Sequence, residues 1–281
     1  MSNDNKVIRN FGDEWERFNF LDEKKLQSLR EQFDRYIAPL PEELRKRDDL
    51  VVADFGAGTG RWSYFLKDLA ARIYAVEPAE KAYKVLNSRF RDESKVILLH
   101  ESVESNQIPE MSLDLAVSLG VLHHIADTQG AIQKLAEKIK PGGTFLGYLY
   151  YALENKPFLY RALWRFSDSI RKVISRLPKK LKLVLADFIA LTIYLPLAKI
   201  SRILDGFGIS VDSVPLHHYK NLGFHVMRND ALDRFGTTLE QRFTRNEIEQ
   251  MLIKAGFIPE SIVFSNKEPF WTFSCKRRHE I

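Results

Sequence analysis

The 281-residue chain predicts a doubly wound α/β fold: a mostly parallel, seven-stranded sheet whose last strand runs antiparallel, with a helical insertion after the fifth strand. Three observations carry that reading. Short apolar runs alternate with helical patterns from Leu50 to Tyr151, a glycine turn follows the first run directly, and acids close the first two runs at Asp54 and Glu77. Alternation of this kind folds into right-handed βαβ units. Continuous apolar runs, unlike period-two patterns, suit strands buried on both faces.

Residues 1–49 read as an N-terminal helical lid. Phe11–Phe20 is rich in aromatic residues, Trp15 among them, and Leu21–Ile37 puts Leu26, Leu29, Phe33, Tyr36 and Ile37 on one helical stripe. Pro39 and Pro41 end that helix. Leu50–Ala53 is the first strand, and Trp62, Tyr64 and Phe65 open a helix after the glycine turn. Ile73–Val76 is the second strand, Lys81–Phe90 a helix, Val96–His100 the third strand and Leu113–Leu119 the fourth. Thr128–Ile139 is a helix closed by Lys140-Pro141-Gly142-Gly143, a stop and turn, before a fifth strand over Thr144–Tyr151. Thr244 and Glu247 form a capping box for a helix that Gly256 ends. Ile258–Ser265 and Phe270–Lys276 read as the final strand pair. The core is therefore 50–151, the helical insertion 152–243, and 244–281 completes the core.

The glycine turn is Asp54-Phe55-Gly56-Ala57-Gly58-Thr59-Gly60. Glycines there admit φ > 0 and let a ligand approach the backbone. Their spacing is not the G-x-G-x-x-G that holds a pyrophosphate on a helix N-terminus. An acid before the turn repels phosphate and attracts a cationic amine. Glu77 follows at about the twenty-residue separation of a ribose-binding acid, and its carboxylate suits both hydroxyls of a ribose.

In order, VVADFGAGTGRW, YAVEP, SLDLAVSLGVLHHI and KIKPGGTFL resemble the class I S-adenosylmethionine-dependent methyltransferases, in particular the small-molecule branch that includes the quinone-biosynthesis enzymes. The likeness covers residues 50–150, roughly a third of the chain. It implies a Rossmann-like core and S-adenosylmethionine as cofactor. Asp54, Gly56, Ala57, Gly58 and Gly60 would surround its methionine end, with Glu77 and Pro78 at the ribose. Ser102 and Val103 would meet the adenine, the Leu119 carbonyl the amino group, and Trp15 would close over the cofactor. Ser102 stands where the family more commonly has an acid.

Beyond Tyr151, Leu159, Leu163, Phe166, Ile170, Val173 and Leu177 recur at helical spacing beside Arg161, Arg165, Arg171, Lys172 and Arg176. Leu181–Ile200 is mostly apolar, but Lys182, Asp187, Pro196 and Lys199 interrupt it, so it is not read as a membrane span. Two readings stay open: a cap over a hydrophobic acceptor, or a basic amphipathic surface resting on anionic lipid. Residues 205–233 read as a loop that, with Arg234 just after it, gathers His217, His218, Tyr219, His225, Arg228, Asp230 and Asp233.

Methyl transfer requires an oriented acceptor, a dry site and, for a weak nucleophile, removal of a proton. His123 and His124 are one set of base candidates; the alternative is that one imidazole bonds the local turn while the other packs on the cofactor. His217 and Asp233 are the second set. Tyr151, His218, Tyr219, Asp230 and Arg234 are acceptor-side candidates, with an Asp230–Arg234 ion pair anchoring the loop as the alternative. No metal is expected, because a sulfonium is already a good leaving group and His217, His218 and His225 lack cysteine partners and i, i+4 spacing.

Hydrophobic residues make up 45% of the chain, enough for a proper core. Cys275 is the single cysteine, which excludes a disulfide framework and fits a reducing cytoplasm. The start, MSNDNKVIRN, lacks the apolar core of a signal peptide. A net charge of +5 allows an anionic partner without requiring nucleic acid. SLGV after the fourth strand replaces the N/D-P-P-Y/F stretch that handles a flipped amino base, so amino-directed nucleic-acid methylation is disfavoured. The expected function is methyl transfer to the oxygen of a small, hydrophobic or lipid-linked acceptor, by a cytoplasmic protein or one peripheral to a membrane. The alternatives are an RNA methyltransferase using the basic helices and a regulatory protein that binds the cofactor without catalysis. No motif specifies an oligomeric state.

Overall fold

The computed structural model describes residues 23–154, 156–211, 214–266 and 271–279. Trp15 and the aromatic stretch around it lie outside the described residues. Contacts divide the chain into two units, one holding the residues up to Glu154 and from Leu239 on, the other residues 155–238.

The first unit is built on β1 (Leu50–Phe55), β2 (Ala70–Val76), β3 (Val96–Leu99), β4 (Leu113–Leu119), β5 (Ile139–Tyr148), β6 (Val263–Phe264) and β7 (Thr272–Lys276). Their order is β3-β2-β1-β4-β5-β7-β6. The first five strands are parallel, and β7 runs antiparallel to both of its neighbours. This is the doubly wound sheet with a reversed last strand that the sequence predicts.

In chain order the helices are α1 (Glu23–Ile37), α2 (Glu42–Arg45), α3 (Ser63–Leu66), α4 (Glu80–Phe90), α5 (Thr128–Lys138), α6 (Phe158–Ile174), α7 (Lys179–Ile189), α8 (Leu195–Gly206), α9 (Phe224–Gly236) and α10 (Arg245–Lys254). One core forms where Ile132 and Leu135 of α5 and Ile248 and Leu252 of α10 meet Ala53, Ala116, Phe145 and Phe273 of the sheet. Leu86 and Phe90 of α4 cover Ala57 and Ala75. α1 buries the expected stripe at Leu29, Phe33, Tyr36 and Ile37, and Phe33 stacks on Trp62 and Phe65 at 6.0 and 5.3 Å.

Several local expectations change in the fold. The helix after the glycine turn lasts only through α3 before a 3-10 turn at Lys67–Leu69, since β2 begins at Ala70. Lys140-Pro141-Gly142-Gly143 is not a turn: β5 already starts at Ile139, pairs with Leu113, and passes the glycines in a bulge with Gly142 at φ 77°. The physical reason is Arg277, whose guanidinium donates to the Ala136, Glu137 and Ile139 carbonyls and ties the end of α5 to the sheet. The strand expected over Ile258–Ser265 shrinks to β6, because Pro259–Ser261 is a 3-10 turn.

The second unit holds α6 to α9 around Ile174, Ile189, Ala190, Tyr194, Ala198, Tyr219, Met227, Ala231 and Phe235. α7, a π turn at Ala190–Tyr194 and α8 make one helical run, Lys179–Gly206, of 28 residues. Pro196, expected to interrupt it, is accommodated because the wide turn just before it relieves the clash a proline ring makes with the preceding turn. By length and composition this run is long and apolar enough to cross a membrane. Residues 205–233 are not one loop either. A 3-10 turn at His217–Asn221 leads into α9, whose buried Met227, Ala231, Leu232 and Phe235 keep helical spacing. The insertion is also shorter than 152–243: Phe243 bridges Tyr151 and Gln241 bonds His123, so residues 239–243 belong to the sheet unit.

Candidate functional site

The chain visits β2 and β3 between β1 and β4, yet β1 and β4 are neighbours. The strand order therefore reverses there, and the carboxyl ends of β1 and β4 frame the crevice in which open α/β sheets hold ligands. Most of the cofactor-side candidates gather around that point.

Gly56 and Ala57 donate their amides to the Val76 carbonyl at 2.8 and 3.0 Å, which folds the glycine turn over the end of β2. Gly58 N–H donates to one Glu77 carboxylate oxygen at 2.8 Å, and Ala79 N–H to the other at 2.7 Å. Two of the glycines are demanded twice over. At Gly56 φ is 78° and a Cβ would lie 2.4 Å from Val121; at Gly60 φ is 83° and it would lie 2.3 Å from Phe90. Backbone conformation and close packing both exclude a side chain there.

Asp54 and Glu77 are buried carboxylates beside this turn. Burial pushes the Asp54 carboxyl up to about 6, although the Ser63 hydroxyl donates to it at 2.6 Å. Burial pushes Glu77 up to about 7 against its two backbone donors, with the Asp54 charge adding to the rise. Pro78 and the buried Ala79 carry the chain from Glu77 into α4.

Beyond β3, the Ser102 hydroxyl accepts the Ser105 amide at 3.2 Å, and the Val103 side chain is buried in the sheet core, leaving only its backbone to face a ligand. Leu119 is the last residue of β4. After it, Leu122–His124 is a 3-10 turn with both imidazoles buried. His124 Nδ1 lies 2.7 Å from the Leu239 carbonyl. A carbonyl only accepts, so Nδ1 carries a proton. His123 stacks on Tyr150 at 3.8 Å, and both of its ring nitrogens are without a hydrogen-bond partner among the described residues. Burial first, and then the neighbouring His124 and Arg242, hold it well below the usual imidazole range.

The sequence reading missed an aromatic wall on this side. Tyr36 lies 5.3 Å from both Trp62 and Tyr148, Tyr148 lies 5.8 Å from Tyr150, and Arg242 covers the Tyr150 ring at 5.0 Å. The available signal was the spacing of Tyr148 and Tyr150 around buried Leu149, since alternate residues of an extended chain share a face.

Comparison with known proteins decides what this arrangement belongs to: residues 53–147 match the family model described as a methyltransferase domain. This stretch is a methyltransferase domain. Its cofactor is S-adenosylmethionine, which the residues present fit. The domain offers two buried carboxylates for a cationic amine and a pair of hydroxyls, a glycine turn that a Cβ would fill, and an orphaned imidazole. An uncharacterised methyltransferase of Mycobacterium tuberculosis is 28% identical over 117 residues, covering 42% of this chain and 57% of that protein. A ubiquinone biosynthesis O-methyltransferase of Agrobacterium fabrum is 26% identical over 145 residues, 51% of this chain and 56% of the relative. The chain thus spans little more than half the length of these curated relatives. A solved structure of a possible exported protein from Bordetella parapertussis shares the fold, with TM-score 0.50, 14% identity, and coverage of 89% of this chain and 68% of that one.

The remaining candidates lie elsewhere. Tyr151 is in the sheet unit, with its ring edge-on to Trp271 at 5.8 Å. His217, His218, Tyr219, Asp230, Asp233 and Arg234 all belong to the helical unit. There Tyr219 donates to Asp230 at 2.8 Å, His218 packs on Tyr219 at 4.0 Å, and His217 Nδ1 lies 2.9 Å from the Val214 carbonyl. Thr237 bonds Asp233 at 3.4 Å, while Arg234 reaches Asp168 at 3.8 Å and covers Trp164 at 5.0 Å. Among the described residues, no group of three or more His, Cys, Asp or Glu is placed to hold a metal ion.

Proposed function

We propose that this protein transfers a methyl group to an oxygen of a small, hydrophobic or lipid-linked acceptor. The observation that carries the reading is the pair of buried carboxylates at the ends of β1 and β2, set beside a wall of Tyr36, Trp62, Tyr148, His123 and Tyr150. The partial likeness to ubiquinone biosynthesis O-methyltransferases supports an oxygen acceptor on a hydrophobic framework.

When bound, S-adenosylmethionine supplies an electrophilic methyl group on a positively charged sulfur. Asp54 answers the cationic amine, Glu77 accepts from the ribose hydroxyls, and the Val103 backbone meets the adenine. The aromatic wall orients a flat acceptor and excludes water, an effect worth several orders of magnitude when reacting atoms are held in line. His123 stays neutral because a buried imidazolium is costly, so it positions the acceptor. His124, its Nδ1 proton held by the Leu239 carbonyl, takes the acceptor hydroxyl proton at Nε2.

Calorimetry with S-adenosylmethionine tests the cofactor half, with Asp54→Ala expected to remove binding. Turnover of phenolic and quinol acceptors tests the other half. His124→Gln is expected to lower kcat by about 10²-fold while leaving cofactor affinity in place. A wild-type protein that is folded yet binds no cofactor, or a His124→Gln enzyme with unchanged kcat, defeats the corresponding assignment.

A further inference from the structure

The helical unit carries a surface that the chemistry above does not use. On α6, Leu159, Leu163, Phe166, Ile170 and Val173 succeed one another at three- and four-residue steps, which places them on one stripe. All five are exposed, Leu159 at 79% and Phe166 at 66%. The side of the helix that holds Trp164, Ser167, Asp168 and Arg171 is half-buried or buried, and Ile174, next to the stripe, is buried at the C-terminal end. α7 repeats the arrangement: Leu181, Val184 and Phe188 are exposed while Ala186 and Ile189 are buried, and Leu191 continues the row into the π turn. Farther along, Ile200, Ile203 and Phe207 are exposed as well. Only 22% of the most apolar window of Lys179–Gly206 is buried. A single exposed leucine is ordinary, but contiguous stripes on successive helices mark a docking surface.

The charge around these stripes names the occupant. Residues 156–211 contain eleven Lys and Arg against three Asp, a surplus of eight, although the whole chain carries only +5. Every one of those acids is already paired: Asp168 with Arg171 and Lys172, Asp187 with Arg228, and Asp205 with Lys220. Arg161, Arg165 and Lys172 form an exposed row beside the apolar stripe of α6, Arg176 stands between α6 and α7, and Lys180 is exposed in the first turn of α7. A second copy of this chain would bring another strongly positive face. An anionic bilayer instead offers hydrocarbon to the stripes and negative charge to the rows.

We infer that the helical unit docks peripherally on anionic membrane, with the stripes of α6 and α7 in the interface and the basic rows at the headgroups. The run from Lys179 to Gly206 lies on the bilayer and does not cross it. Its buried side supplies Ile189, Ala190, Tyr194 and Ala198 to the unit's own core, and Asp187 holds Arg228 of α9 in a two-pronged pair at 2.9 and 2.7 Å. Crossing would dismantle both. A membrane-bound acceptor would then be met at its source, an extension that rests on the proposed function; the docking itself does not.

The test is co-sedimentation of the full chain with vesicles of phosphatidylcholine alone and of phosphatidylcholine mixed with phosphatidylglycerol. Binding is expected only to the mixed vesicles, to fall steeply with salt, and to be released by alkaline carbonate. Phe166→Glu should weaken partitioning by about tenfold or more, the scale of losing one buried aromatic side chain. Arg161→Gln with Arg165→Gln should weaken it by roughly 25-fold, near fivefold per charge. Circular dichroism and S-adenosylmethionine affinity, unchanged in these variants, separate failed docking from a failed fold or a failed cofactor reading. Equal binding by Phe166→Glu, absence of vesicle binding, resistance to carbonate, or a dimer that Phe166→Glu dissociates without any vesicle binding would each overturn the inference.

Discussion

A carboxyl group buried beside another carboxyl is held closer to neutrality than either would be alone, and Glu77 beside Asp54 is such a group. Its folded-state value is raised, so the native chain keeps a proton that the unfolded chain releases. The stability this contributes is complete below about 4.5 and is lost as pH rises through about 7. Urea titrations of the cofactor-free protein should therefore show stability rising by about 1 kcal/mol from pH ~8.5 to pH ~6.5, and Glu77→Gln should flatten that rise. His123, lowered where Glu77 is raised, acts with the opposite sign only below about pH 6.5. Cofactor binding favours the ionised carboxylates, so affinity should tighten as pH rises through about 7, with proton release near pH 6.5 seen by calorimetry in two buffers. Glu77→Ala should weaken cofactor binding by about 1–3 kcal/mol, and unchanged affinity would remove the ribose role. Gly60→Ala forces a Cβ to within 2.3 Å of Phe90 at a left-handed φ, so thermal unfolding should register a loss of about 3 kcal/mol. The acids and glycines were legible because their spacing is a local property. The contacts of Gly56 with Val121 and Gly60 with Phe90 were not, since those partners lie 65 and 30 positions away.

At the level of elements, the signals that held were those completed within a few residues. The capping box of α10 is present bond by bond: the Glu247 amide donates to the Thr244 hydroxyl at 3.2 Å, and the Thr244 amide donates to the Glu247 carboxylate at 2.7 Å. Thr244→Ala should cost about 1 kcal/mol in chemical unfolding, whereas Thr244→Ser should cost little. The signals that misled were punctuators overruled from a distance. Lys140-Pro141-Gly142-Gly143 reads as a stop, yet Arg277 and the edge of β4 hold it in β5. The glycines and Pro215 upstream of α9 suggest one long loop, but burial of Met227, Ala231 and Phe235 against the other helices of the unit selects a helix. Pro196 survives inside a long helix because a π turn widens the run before it.

Over the whole molecule, the methyltransferase domain keeps its own cofactor-side residues. Asp54, Glu77, Ser102, Val103 and Leu119 belong to the sheet unit, and the two edges of the insertion meet where Ala152 donates to the Phe243 carbonyl at 2.9 Å. Replacing residues 155–238 with a short Gly/Ser linker should therefore give a folded chain whose S-adenosylmethionine affinity by calorimetry stays within roughly threefold. A much larger loss would show that the helical unit completes the cofactor site. What the sequence determined by itself was the strand–helix alternation, the order of the motifs, and the two acids at the strand ends. All of these depend on periodicity and spacing along the chain. What only the tertiary structure decided was which residues face one another. It assembled the wall from Tyr36, Trp62, Tyr148 and Tyr150, drawn from α1, the N-cap of α3 and the end of β5, and it set the Nδ1 proton of His124 through Leu239. It also left the apolar stripes of α6 and α7 on the outside, where the sequence had left open a cap over an acceptor and a surface resting on lipid. Periodicity fixes which residues share a face; only packing determines whether that face meets protein or something else.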